Sequence, residues 1–158
     1  MPWSDDELAE YDPPQRIRCL PSWLAGQLAA RAAALVAEAL APERLRRQHY
    51  TVLSALADRG ASSQAALGRR LLIDRSDMHA LLGELERAGL IERLRDPSDR
   101  RRMLVDLTAA GGRVLKRLDT RIEAAQETLL APISAGDRRE LRRLLTQLVE
   151  HHSPGYSG

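Results

Sequence analysis

The apolar period of this chain changes from helical to alternating at Gly89, and that change limits the possible folds more than any other feature. Upstream, Met78, Leu81, Leu82 and Leu85 recur at the spacing of one helical face; downstream, LIERLRD and MLVDLT alternate as strands do. Between the two strands lies a turn, PSDRRR. The order is therefore helix, then a two-stranded hairpin with a charged tip. A second helix fits just upstream, because Ser62 or Ser63 can cap a segment ending near Leu71. Asp74 then caps the next helix, with Asp77 three residues on in a box-like arrangement.

The remainder reads as helix. Leu24, Leu28, Leu35, Val36 and Leu40 recur from Trp23 to about Ala41, and Pro42 interrupts them. A further helix is expected from about Glu43 to Asp58, closed by Gly60. Thr108 caps a long helix to about Leu130, and after Pro132 a last one begins at Ser134 or Ala135. With 3% aromatic residues and no Phe, the core has to be aliphatic. The expected fold class is mainly α with a small β-hairpin wing: a winged helix-turn-helix with N- and C-terminal dimerisation helices.

The expected organisation is a flexible acidic, proline-containing leader (1–21), an N-terminal helix (22–42), a winged lobe (43–111), C-terminal helices (112–152) and a tail (153–158) that frays. Order is expected to begin near Pro21.

Charge is unevenly distributed. The chain carries 24 basic and 22 acidic residues, but Asp5, Asp6, Glu7, Glu10 and Asp12 all precede the first basic side chain. The remainder carries 24 basic against 17 acidic side chains, which suits a polyanionic partner. The stretch RDPSDRRRMLVDL (95–107) concentrates this, with four arginines in eight residues. Asp99 precedes Arg101 by two positions, so its carboxylate can brace a guanidinium by a charge-assisted hydrogen bond while others face phosphate. A braced arginine loses less rotamer entropy on binding. On the helix before the hairpin, the outward positions are Ser76, Ala80, Gly83 and Arg87, with His79 on the flank. That slim face suits the major groove, which admits one helix if its side chains do not hold it away.

The run DPSDRRRMLVDLTAAG (96–111) resembles the wing signature of the MarR family of bacterial transcription regulators, and RSDMHALLGELERAGLIER (75–93) resembles its recognition helix and first wing strand. The flanking helices match in order, so the resemblance covers about residues 22–150. It implies a homodimer that binds double-stranded DNA at a pseudo-palindromic operator, usually as a repressor, and is often released by small aromatic or lipophilic effectors or by cysteine oxidation. By motif, Asp99, Arg100 and Arg101 fall on the wing. Ser63 and Gln64 fall at the start of the helix that supports phosphate contacts. Arg75, Ser76, Asp77 and His79 fall on the groove-reading segment. Two positions depart from the pattern: Leu72 where the family often has glycine, and Gly68 where it usually has alanine.

Trp23, His49 and Tyr50 are polar-tipped rings in otherwise aliphatic helices, which makes them the candidate effector contacts. Ordinary interhelical packing explains them too. Cys19 is alone, so no intramolecular disulfide or Cys-based zinc cluster is expected, and a redox-sensing role through Cys19 stands as an alternative. His151 and His152 lack further ligands at recognisable spacing, so no metal site is expected. No catalytic motif or cofactor-binding loop stands out, and an enzyme is not expected. No uninterrupted run of 18 apolar residues or basic leader marks a membrane or export signal, and a cytoplasmic location is expected. The rival class is a winged-helix module for protein association, which needs neither the slim helix face nor the basic tip.

Overall fold

A computed structural model describes residues 11–153. Its elements are α1 (Gln15–Arg18), α2 (Pro21–Leu40), a 3-10 turn (Ala41–Glu43), α3 (Arg47–Arg59), α4 (Gln64–Leu71), α5 (Arg75–Arg87), β1 (Ile91–Arg95), β2 (Met103–Leu107), α6 (Ala109–Leu130) and α7 (Ala135–His152). The mainly helical class and the hairpin are as expected. Order begins earlier than Pro21, because Pro14 precedes a single helical turn that carries Ile17 and ends at Cys19. Residues 1–10 of the expected leader and 154–158 of the tail lie outside the described residues. His151 and His152 still belong to α7.

The helix expected from Glu43 begins instead at Arg47. Pro42 has no N–H to continue an α-helical ladder, and the chain passes through the 3-10 turn and a left-handed Arg44 (φ 55) before restarting.

The core is aliphatic. Leu40, Val52, Leu53, Leu56, Leu67, Met78, Leu82, Leu85, Ile91, Val105 and Leu118 are fully buried, gathering α3, α4 and α5 over the base of the hairpin and against α6. The strands pair antiparallel from Ile91↔Leu107 to Arg95↔Met103. Val105 is held on its other side as well, exchanging two 2.9 Å hydrogen bonds with Ser62. Ser62 is thus a third, one-residue strand, and Ser63 is the cap of α4, accepting from Ala66 N–H at 3.3 Å.

The terminal helices are different. α7 contributes no buried residue, and in the 20-residue α2 only Leu35 and Leu40 are buried. By length and composition alone, 21–43 is apolar enough to cross a membrane, with a mean hydropathy of 1.3 over its best window. Arg31 stands in the middle of that stretch, where a bilayer would charge about 2.5–3.5 kcal/mol for it. A covering of protein carries no such cost.

The base of the wing closes onto the start of α6. Leu90 carbonyl accepts Thr108 N–H at 3.1 Å, Thr108 hydroxyl donates to Gly89 carbonyl at 2.7 Å, and Thr108 Oγ1 caps Gly111 N–H at 3.0 Å. A Cβ on Gly111 would stand 2.0 Å from the Leu90 carbonyl oxygen. Backbone, not a flexible side chain, is what it would meet. Gly111→Ala is therefore expected to destabilise the fold by roughly 1–3 kcal/mol or more through overpacking, read as a lowered melting temperature.

Candidate nucleic-acid interface

The first turn of α5 is built by one carboxylate. Asp74 Oδ1 accepts from Ser76 N–H at 2.8 Å, Asp77 N–H at 2.9 Å and Ser76 hydroxyl at 2.7 Å, which satisfies the free amides of the first turn of α5. The expected box is half made: Asp74 caps, while Asp77 interacts with the Asp74 carboxylate. The amide of Asp77 and the hydroxyl of Ser76 hold Asp74 down to a pKa of about 2, whereas the bond to Asp74 and its charge push Asp77 up.

The turn before α5 accommodates both departures from the family pattern. Leu72 adopts a left-handed φ of 53, a conformation usually given to glycine, with its side chain 93% exposed. Gly68 leaves room for the Ile73 carbonyl, which an added Cβ would approach to 3.0 Å, and its own carbonyl accepts Ile73 N–H at 3.0 Å.

Met78, Leu81, Leu82 and Leu85 of α5 are buried, and Arg75, Ser76, Asp77, His79, Ala80 and Arg87 are exposed, as the period requires. Gln64, Arg69, Arg75, Ser76 and His79 line one open groove of about 1110 Å³ between α4 and α5. It gathers four of the expected residues and adds Arg69, which the sequence reading missed. Its position four residues after Ala65, which lines the same groove, was the available signal.

The hairpin tip corrects the expected brace. Asp99 Oδ1 accepts the Arg101 main-chain N–H at 3.0 Å, and the Asp99 carbonyl accepts Arg102 N–H at 2.8 Å. No ion pair among the described residues joins Asp99 to a guanidinium. In a turn this tight, the amide two residues on is the nearest donor, so the carboxylate shapes backbone and leaves the arginine side chain free. The stronger anchor is Asp96, which is buried and accepts Ser98 N–H at 2.8 Å and Ser98 hydroxyl at 2.6 Å. Those bonds lower its pKa. Asp-Pro-Ser was its sequence signal, an aspartate placed to bond the amide two residues ahead. Arg95 donates to the Arg100 carbonyl at 3.3 Å. Arg100, Arg101 and Arg102 are exposed, and none makes an ion pair among the described residues.

The three candidate effector residues do not come together. His49 is only 3% exposed and uses both ring nitrogens: Nδ1 accepts Arg46 N–H at 3.1 Å, and Nε2 lies 2.9 Å from Glu84 Oε2. An accepting Nδ1 places the proton on Nε2. Burial lowers the His49 pKa, so the ring is held neutral. Tyr50 donates to Asp119 of α6 at 2.9 Å and lines a cleft of about 440 Å³ with Ser54, Arg59 and Arg70, which neither Trp23 nor His49 lines. Trp23 is half-buried on α2. Cys19 is exposed.

A helix-turn-helix, a hairpin with free arginines and long flanking helices with uncovered apolar faces together define a winged helix-turn-helix protein. Residues 45–102 match the MarR family. A transcriptional repressor of Mycobacterium tuberculosis is 32% identical over 113 residues, 72% of this chain and 81% of that protein. The chain belongs to the MarR family of transcriptional regulators. The repressor NicR of Pseudomonas putida is 29% identical over 101 residues, and the match covers 64% of each protein's length. Among solved structures, the PcaV regulator of Streptomyces coelicolor in complex with its natural ligand superposes with a TM-score of 0.69 at 30% identity, covering 88% of this chain and 98% of that one.

Titration checks the cap directly. Asp74 is depressed, so its contribution to stability is complete above the ordinary carboxylate range and disappears as pH falls through about 2. Carboxyl NMR is expected to show Asp74 titrating near that value and Asp77 above its usual one. In Asp74→Ala the Ser76 and Asp77 amides should exchange faster with solvent.

Proposed function

We propose that this chain is a cytoplasmic, homodimeric repressor that reads a pseudo-palindromic duplex operator and is released from it by a small aromatic or lipophilic effector. The observation that carries the reading is the pairing of a capped helix presenting a slim, exposed face with a hairpin whose tip arginines are left without internal partners. α5 enters the major groove through Arg75, Ser76, Asp77 and His79, with Ser63 and Gln64 at the start of α4 facing phosphate. Arg100 and Arg101 reach the adjoining minor groove, where a narrow groove concentrates negative potential. Asp99 acts by fixing the tip backbone.

Residues 43–111 form the DNA-binding lobe, and 22–42 with 112–152 form the arms. Dimerisation is supported by the apolar surface the arms leave uncovered: Leu20, Leu24 and Leu28 beside α1 and α2, and Leu144, Leu145, Leu148 and Val149 on α7 are all 38–57% exposed. A twofold arrangement would bury them and produce two recognition helices in symmetric register. Light scattering is expected to report a dimer at micromolar concentration. Leu148→Asp, placed in that face, is expected to give monomers with little change in helicity.

Effector release is supported by the ligand complex of PcaV, and the cleft beside Tyr50 offers phenol, hydroxyl and guanidinium groups over an apolar floor. A panel of aromatic acids tested for loss of DNA binding decides it.

Retardation of duplex DNA by the freshly purified protein at low salt tests the whole reading; absence of binding at any salt would instead favour a protein-association module. Arg101→Ala is expected to weaken specific binding by on the order of 1–3 kcal/mol per half-site. Asp99→Ala should also weaken it, although removing a negative charge near DNA would by Coulomb's law strengthen it. Tighter specific binding by Asp99→Ala would sink the proposed role of the tip backbone.

A further inference from the structure

The turn between α2 and α3 is fastened at both ends by carboxylates belonging to different parts of the molecule. At its start, Glu43 accepts from Arg117 Nε at 2.8 Å and Nη2 at 3.1 Å and lies 3.5 Å from Arg121, both on α6. Three residues on, Arg46 Nη2 donates to Glu84 Oε2 of α5 at 2.8 Å. His49 Nε2–H donates to the same oxygen at 2.9 Å, its direction set by the Arg46 amide on Nδ1.

The backbone between these anchors has little freedom. Pro42 fixes one φ, Arg44 is left-handed, and Leu45 packs against the core while its N–H reaches the Leu40 carbonyl at 3.4 Å. Glu84 is half-buried on α5, one turn beyond Ala80, and its carboxylate is taken up by Arg46 and His49. Its two donors therefore bear on how α5 is held, not on what its outer face presents.

We propose that Glu84 is a positioning residue for DNA reading: by accepting from Arg46 and His49 it locks α5 to the turn that Glu43 fastens to α6, so that the arms set the spacing of the two recognition helices. The inference rests on the reading of α5 as the DNA-contacting helix of a dimer. A direct-contact role would act on affinity for each half-site alone. The positioning role acts on tolerance to the distance between half-sites.

The probes are a duplex selected by the wild-type protein from a random-sequence library, the same duplex with one base pair inserted between its half-sites, and an unselected duplex of equal length. Wild type, Glu84→Ala, Glu84→Gln, Arg46→Ala and the Glu84→Ala/Arg46→Ala double variant are compared by fluorescence anisotropy, with melting curves for each. Wild type is expected to disfavour the lengthened duplex by about tenfold or more. Glu84→Ala is expected to lose about tenfold on the selected duplex and to discriminate spacing by less than about threefold, while its affinity for unselected duplex does not fall. Arg46→Ala should reproduce part of this loss, and the double variant should be no worse than Glu84→Ala, as for two groups in one interaction.

Glu84→Gln keeps the side-chain shape and an acceptor oxygen without the charge, and should fall between wild type and Glu84→Ala, which guards against a simple folding failure. Wild-type spacing discrimination in either folded Glu84 variant overturns the proposal, as does tighter binding of the selected duplex by Glu84→Ala. Failure of the wild type to enrich any duplex would overturn the DNA reading beneath it instead.

Discussion

The closure at Leu90, Thr108 and Gly111 is the constraint on which the rest of the architecture depends. One carbonyl, that of Leu90, ends the chain's exit from α5, accepts the Thr108 amide that opens α6, and lies where any side chain at 111 would stand. The wing leaves and returns through this single point. Its strands are short and face solvent on one side, and a lone hairpin of that kind is marginal in water. What keeps it folded is the anchoring at its base and the second pairing of Val105 with Ser62, which also fixes where α4 begins. The helix α5, the wing and α6 are thus set from one junction.

Much of this was legible because the physics behind it is local. The apolar face of α5, the Asp74 and Thr108 caps and the switch of period at Gly89 each follow from residues within a turn or two of one another. The misses share the opposite character. Arg44 takes a left-handed conformation and delays α3 by several residues, a choice that depends on how the turn packs against α5 and α6. For His49 and Tyr50 the sequence showed polar rings in an aliphatic helix and nothing of what those rings bond. Their partners, Glu84 and Asp119, lie 35 and 69 residues away. No spacing rule reveals such a pair.

The wing shows a finer version of the same limit. The sequence placed Asp99 beside Arg101 correctly and misjudged which atom it would hold. A carboxylate in a tight turn has a main-chain amide two residues ahead at fixed geometry, whereas a guanidinium must give up rotamer freedom to come back to it. The amide wins. An ordered tip backbone with loose arginines is then the ground state.

That outcome bears on how basic residues should be counted. Between residues 64 and 107, Arg70, Arg87 and Arg95 donate to main-chain carbonyls and Arg93 pairs with Glu86, so their positive charge is bound up in holding helices and strands in place. Arg69, Arg75, Arg100, Arg101 and Arg102 make no such bond among the described residues. The first group would be found in any stable lobe of this composition. The second keeps all of its side-chain donors uncommitted, beside the α4–α5 groove and at the wing tip. The net charge of +2 hides this division, because it averages paired arginines with unpaired ones and sets both against acids that cap helices. A polyanion finds every side-chain donor available only in the unpaired set, so the pattern of internal pairing, more than total basicity, marks where DNA can compete with water for these donors.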